Sequence, residues 1–302
     1  MKKEATIKDC PYTYWKIMTK PDFIIIGAMK SATSTLHSQL ALQEGIFMTT
    51  PKEPNYFSDD DQYAKGETWY KSLFSEAKNS DLCGESSTHY TKLPHHPLAV
   101  KRMAKNLTSP KLIYVMRHPI DRLVSHYIHQ WSQHVMTCDI NKAINQYDEL
   151  IAYGCYAQQL QPYIDQYGRE NILCIFMESI KHNPQGQLEK VVSFVGYKGQ
   201  ARWQFELKRQ NISKDKIRAF PGYKLLIDSV LMAWLRRKLV PQSIRNKIKK
   251  RFTMQNRPEI NSVNMAKLTK VFDQDLQRLS AILGCDNLTC ENYKTVVLER
   301  FG

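Results

Sequence analysis

The sequence predicts an α/β fold in which a central parallel sheet is flanked by helices in three layers, and three observations predict it. Phe23–Ile26 is an unbroken apolar run with three β-branched residues, and Lys111–Arg117 and Asn171–Met177 enclose two more such runs. Runs of this length without polar alternation are strands buried on both faces. Each is followed by a helical pattern, and strands alternating with helices at these distances build a parallel sheet covered on both sides. The chain has 302 residues, 42% of them hydrophobic, enough to bury a core as a single domain.

The first strand leads into the segment that organises the chain, Asp22 to Leu36. Gly27 makes a tight turn, and from Thr33 onward Leu36, Leu40 and Leu42 fall at helical spacing behind a cluster of hydroxyl residues suited to capping. A strand, turn and helix in this order aim backbone N–H groups and the positive end of a helix dipole at one point, where an anion belongs. Lys30, Ser31, Thr33, Ser34 and Thr35 add donors. The nucleoside-triphosphate phosphate loop carries a second glycine directly before its Lys-Ser/Thr pair. Here Gly27 lies only three positions before Lys30, so the loop is shorter and suits a smaller anion.

The second strand ends at Arg117, followed by His118-Pro119 and a helical pattern through Arg122, Ser125, His126 and His129. Proline suits the first turn of that helix. In open α/β sheets ligands sit beyond the carboxyl ends of strands, so Lys30 and Arg117 are expected to point into one crevice.

On these residues the chain resembles sulfotransferases that use 3′-phosphoadenosine 5′-phosphosulfate (PAPS). Their 5′-phosphosulfate loop, G-x-x-K-[ST]-G-T-[ST]-x-L, is matched by Gly27, Lys30, Ser31, Thr33, Ser34 and Leu36, with Ala32 in place of the usual glycine. Their 3′-phosphate segment, R-x-P-x-x-R-x-x-S-x-Y, is matched at Arg117, Pro119, Arg122, Ser125 and Tyr127. Lys52-Glu53-Pro54-Asn55-Tyr56-Phe57 and Gly84-Glu85-Ser86-Ser87-Thr88-His89-Tyr90 are similar to segments of the carbohydrate branch, the heparan-type and bacterial sugar O-sulfotransferases. Ser86 stands where many heparan-modifying members carry lysine.

The resemblance implies a P-loop-like fold and transfer of the sulfuryl group from PAPS to an acceptor hydroxyl, on a carbohydrate or glycoconjugate, without a metal. It implies Glu53 as general base and Lys30 as the charge stabiliser at the bridging oxygen. It assigns Gly27, Lys30, Ser31, Ala32, Thr33, Ser34 and Thr35 to the 5′ end of the nucleotide and Arg117 and Ser125 to the 3′-phosphate. Arg209, Asn211 and Ser213 resemble contacts to the 3′-phosphate or adenine. A nucleotide kinase-like phosphotransferase and a non-catalytic protein binding anionic glycans or membranes are the competing readings.

Lys and Arg exceed Asp and Glu by 14, which favours anionic partners without identifying them. No nucleic-acid module is readable. Asp59-Asp60-Asp61 reads as a solvated or capping turn, and His89, His95 and His96 lack metal-ligand spacing, so no metal site is expected. Seven cysteines form no Cys-x-x-Cys pair, although Cys285 and Cys290 could meet across a loop in an oxidising compartment. The charged N-terminus has no apolar signal core and no run of 18 apolar residues occurs, so a cytoplasmic location is expected.

The remaining segments complete one domain over 1–302, with 1–21 as a lead-in. Leu82–Glu85 reads as a short strand, His95–Lys105 as a helix, and Asn141–Tyr167 as helical with a break near Gly154. Residues 217–302 read as a helical extension packed on the core. Within it, Leu225, Leu226, Val230, Leu231 and Leu235 form an apolar stripe beside Arg236-Arg237-Lys238, which docks on the domain or touches a membrane surface.

Overall fold

The computed structural model describes residues 20–207 and 256–302. The basic amphipathic stripe at 223–238, and Arg209, Asn211 and Ser213, lie outside the described residues, as does the lead-in up to residue 19.

Five strands form one parallel sheet: β1 (Phe23–Gly27), β2 (Ile46–Met48), β3 (Leu82–Ser86), β4 (Lys111–Met116) and β5 (Ile172–Phe176), in the order β2-β3-β1-β4-β5. β1 is central, and Phe23 to Ile26 are completely buried, each such side chain contributing about 1.5–3 kcal/mol. From β1 the chain moves outward to β2 and β3, then crosses back to β4 and β5 on the other side. The winding of the chain therefore changes direction between β1 and β4 while all strands stay parallel, and at such a point a crevice opens at the strands' carboxyl ends.

The alternation along each strand divides the core. Phe23, Ile25, Ile113, Val115 and Ile175 face α1 (Thr33–Ala41) and, beyond α9 (Met177–His182), α10 (Pro184–Phe194), through Leu36, Leu40, Leu188 and Val191. Ile24, Ile26, Tyr114, Met116 and Phe176 share the opposite core with residues of α3 (Gly66–Ser72), α4 (Ala99–Asn106) and α8 (Tyr156–Tyr167). That core also takes in Leu276 and Leu279 of α11 (Ser262–Leu283) and Tyr293 and Val297 of α12 (Tyr293–Phe301), so the described C-terminal helices pack on the sheet domain. A smaller cluster joins α5 (Pro119–Ser132), α6 (Ile140–Gln146) and α7 (Glu149–Ala152) to Leu268 and Phe272 of α11. Among the described residues no helix is long and apolar enough to cross a membrane, and Cys285 and Cys290 are both free thiols.

Two glycines are dictated by close approach. A Cβ on Gly84 would fall 2.3 Å from the Phe23 ring, and one on Gly27 would fall 2.0 Å from Thr91 Oγ1. That hydroxyl donates to the carbonyl of Ile26 at 2.8 Å, pinning the end of β1.

Glu85, paired with Ile24 across the β3–β1 ladder, is fully buried on the aromatic side of the sheet. The hydroxyls of Tyr70 and Tyr90 lie close enough to act on it, yet neither carboxylate oxygen has a well-formed hydrogen bond. Burial dominates and pushes its carboxyl up to about 8. A carboxyl raised on folding takes up a proton, so its contribution is complete below the unfolded value near 4.5 and is lost as pH rises towards 8, at up to about 1.4 kcal/mol per pH unit. Glu85→Gln is expected to match the parent in thermal stability near pH 5 and to exceed it at pH 8; parallel stability curves would refute this.

The turn after β1 places Lys30 at φ +70° and Ala32 at φ +71°, both left-handed. A residue with a Cβ pays about 1 kcal/mol there relative to glycine. Ala32→Gly is therefore expected to raise stability by about 0.5–1 kcal/mol in denaturant titration; a loss of stability would contradict the assigned backbone.

Candidate active site

The loop from β1 to α1 is tied to the neighbouring strand, since the Ala28 amide donates to Val115 O at 2.8 Å, and it closes through Ser31 N–H to Ala28 O at 3.2 Å. No side chain caps the start of α1. The first-turn amides of a helix need partners, and here the expected donors cluster around them: Lys30, Ser34 and Thr35 are partly exposed, while Thr33 is buried. Ser31 is placed differently, with its side chain fully buried beside the Tyr156 hydroxyl. Its own hydroxyl has no well-formed hydrogen bond.

Arg117 follows β4 directly, and its Nη1 donates to the carbonyl oxygen of Lys30 at 3.4 Å. The two cationic segments, 87 residues apart in sequence, thus meet at the β1–β4 crevice. The Tyr156 hydroxyl donates to Arg117 O at 2.6 Å and holds the arginine's backbone. Next to it, His118 Nδ1 accepts the Asp121 amide and so caps α5. His118 Nε2 lies 2.8 Å from Cys290 O. Only the tautomer protonated at Nε2 satisfies both contacts. Ser125 lies buried on α5, with 4% exposure. Arg122, from the same motif, is fully buried and donates to Leu150 O, a structural tie to α7 rather than a contact in the crevice.

Glu53 sits on the loop after β2 with φ +63°, and Asn55 follows at +53°. Non-glycine residues in this region persist where the surroundings impose them. The imposing contacts are the Glu53 amide to Ser86 O at 2.9 Å, the Asn55 amide to Ser87 Oγ at 3.1 Å, and Thr88 Oγ1 to Glu53 Oε2 at 3.3 Å. The carboxylate also forms an ion pair with Lys52. Burial opposes its charge, but Lys52, Lys92 and His89 outweigh burial and hold the carboxyl below its ordinary range. Glu53 is therefore ionised throughout the neutral range.

Two residues here carried no signal in the sequence. His37, on α1, accepts from or donates to Ser86 Oγ at 2.8 Å. Burial first, then Lys52, push its imidazole down to about 4, while Glu53 acts in the opposite direction. His37 is thus a neutral group linking the first helix to the Glu53 loop. Lys92 is 8% exposed, with its ammonium 5.7 Å above the Tyr153 ring. Burial lowers it to about 8 against the pull of Glu53 and Asp59. A lone histidine in a helix and a lone lysine after a turn carry no recognisable spacing.

The site thus offers anions an uncapped α1 start and the Arg117 guanidinium, and it carries an ionised carboxylate, Glu53, on the loop bonded to the end of β3. Comparison with known proteins agrees with the fold. The structure resembles the crystal structure of a sulfotransferase from Alicyclobacillus acidocaldarius, with a TM-score of 0.62 and 22% identity, over 89% of this chain and 97% of that one. In sequence, the chain is 27% identical over 187 residues to heparan sulfate glucosamine 3-O-sulfotransferase 3B1 of Mus musculus, covering 59% of this chain and 46% of that protein. It is 25% identical over 198 residues to the bifunctional heparan sulfate N-deacetylase/N-sulfotransferase 2 of Homo sapiens, covering 58% of this chain and 22% of that protein. The chain thus matches less than half the length of these relatives. The sulfotransferase domain model matches residues 20–280, spanning β1, β4, the Glu53 loop and most of α11. The chain belongs to the sulfotransferase domain family.

Proposed function

We propose that this protein transfers the sulfuryl group of PAPS to a hydroxyl of a saccharide acceptor. The observation that carries the reading is the contact of Arg117 with the Lys30 backbone carbonyl, which brings the two cationic segments together beside an uncapped helix start. Such a site fits an adenosine carrying phosphate at both its 3′ and 5′ ends, the desulfated form of that donor. When bound, the donor supplies an activated sulfur with adenosine 3′,5′-bisphosphate as leaving group. Backbone amides and hydroxyls at Thr33, Ser34 and Thr35 hold the 5′ end, with Gly27, Ser31 and Ala32 shaping the turn. Arg117 and Ser125 hold the 3′-phosphate, and Arg209, Asn211 and Ser213 are proposed as further contacts to the 3′-phosphate or adenine. Lys30 stabilises charge that builds on the departing phosphate oxygen. Glu53 removes the proton from the acceptor hydroxyl, whose oxygen then bonds to sulfur as the sulfur–phosphate-oxygen bond breaks.

The saccharide reading is supported by the two relatives named for heparan sulfate chemistry and by the surplus of 14 positive charges, which attracts acidic glycans. The single-domain reading of 1–302 is supported by the burial of Leu276 and Tyr293 in the sheet's own core.

The test is transfer of labelled sulfuryl group from PAPS to a panel of polysaccharides. Glu53→Gln is expected to lower kcat by about 10²–10⁴ with donor affinity unchanged, and retention of most of the rate would remove Glu53 from the chemistry. A carboxylate held low loses activity only when pH falls through its lowered value. In Lys52→Met that support is gone, so the acidic limb of the kcat profile is expected at higher pH than in the parent; superimposable limbs would contradict the pairing.

A further inference from the structure

Beside the Glu53 loop, three chain segments remote in sequence bring metal-ligating atoms to one point. Asp59 lies at the end of that loop before the short helix α2 (Asp60–Tyr63), His89 in the 3₁₀ turn Thr88–Thr91, and His96 in the turn before α4. His89 Nδ1 and His96 Nδ1 lie 3.0 and 3.5 Å from the same oxygen, Asp59 Oδ1. The two imidazole rings overlap at 4.7 Å between centroids with 31° between their planes. All three groups offer ligand atoms within 4.8 Å of one another. A tetrahedral ion with bonds of about 2.0–2.1 Å keeps its ligands about 3.3–3.4 Å apart. The two nitrogen–oxygen separations bracket that value.

Chemistry agrees with spacing. The Ser58 carbonyl oxygen, 3.3 Å from His96 Nδ1, is a fourth donor within reach. The three side chains are between 23% and 31% exposed, so an ion could enter from solvent yet be held against protein. Lys92 also faces this cluster and weakens cation binding, whereas nearby Arg102 is neutralised by its ion pair with Asp60. Two imidazoles with one carboxylate select an ion of the zinc class over calcium or magnesium, which prefer all-oxygen shells.

We propose that Asp59, His89 and His96 form a binding site for a divalent transition ion of the Zn²⁺ class, clasping the Glu53 loop to the Thr88–Thr91 turn. Thr88, adjacent to His89, donates to Glu53 Oε2, so the ion would stiffen the support of that carboxylate without touching it. The site stands independently of the transfer chemistry proposed above. A second grouping, His95 with Asp148 and Glu149, is more exposed and serves as the comparison.

The full chain, stripped with chelator, is titrated with Zn²⁺ by calorimetry and with Co²⁺ by visible absorption. One saturable equivalent, a tetrahedral-type Co²⁺ spectrum and a Zn²⁺-dependent rise in Tm are expected. Affinity is expected to fall more than about tenfold in Asp59→Asn and His96→Gln and to be unchanged in His95→Gln. No saturable binding by the parent, or equal binding by Asp59→Asn and His96→Gln, overturns the proposal. Should those variants fail to fold, the parent's Co²⁺ spectrum decides, and an octahedral, oxygen-only spectrum overturns it.

Discussion

Arg117 can reach the Lys30 carbonyl only because β1 and β4 are neighbours, and that adjacency is the constraint on which the site depends. Paired in parallel, with Ile25 opposite Ile113, β1 ends at Gly27 opposite Tyr114, and β4 runs two residues further to Met116 on the same edge of the sheet. Their following turns therefore open on a single crevice. The hydrophobic effect fixes this geometry, because β1 is buried on both faces and cannot leave the sheet's centre without exposing Phe23 to Ile26. Backbone bonds then refine it: Ala28 is tied to β4 and Thr91 to the end of β1. The donor proposed above would meet backbone already held in place, which need not be gathered on binding.

Two acids on adjoining segments show how environment separates roles. Glu53 and Glu85 both lie near the carboxyl end of β3, but Glu53 has lysines and a histidine around a partly open carboxylate, and Glu85 has tyrosines around a closed one. The first is held ionised and the second is held neutral. Only the first is suited to accept a proton at neutral pH. The left-handed backbone at Glu53 belongs to the same design, because the Glu53 and Asn55 amides donate to Ser86 O and Ser87 Oγ and hold the loop in that geometry.

Much of this was legible in the sequence wherever local chemistry and global fold agree. The three long apolar runs became β1, β4 and β5, and the break near Gly154 separates α7 from α8. β2 was not legible, since three residues at the sheet's edge give no periodicity to read. The helix expected from His95 begins at Ala99, after Pro97 and with Leu98 as its N-cap. Proline pushes the residue before it out of helical geometry, which delays the start. In the crevice, motif spacing located Lys30 and Arg117, but it could not tell that Ser31 turns inward. His37, Lys92 and the Asp59–His89–His96 grouping escaped because each depends on segments brought together only by folding.

The account turns on one ligand bridging the two cationic turns, and calorimetric binding of adenosine 3′,5′-bisphosphate, compared with adenosine 5′-phosphate, tests it most directly. The parent is expected to prefer the bisphosphate, Arg117→Ala to lose that preference while still binding the monophosphate, and Lys30→Ala to weaken both ligands alike. A parent that fails to discriminate between them, or an Arg117→Ala chain that discriminates as well as the parent, would contradict the account.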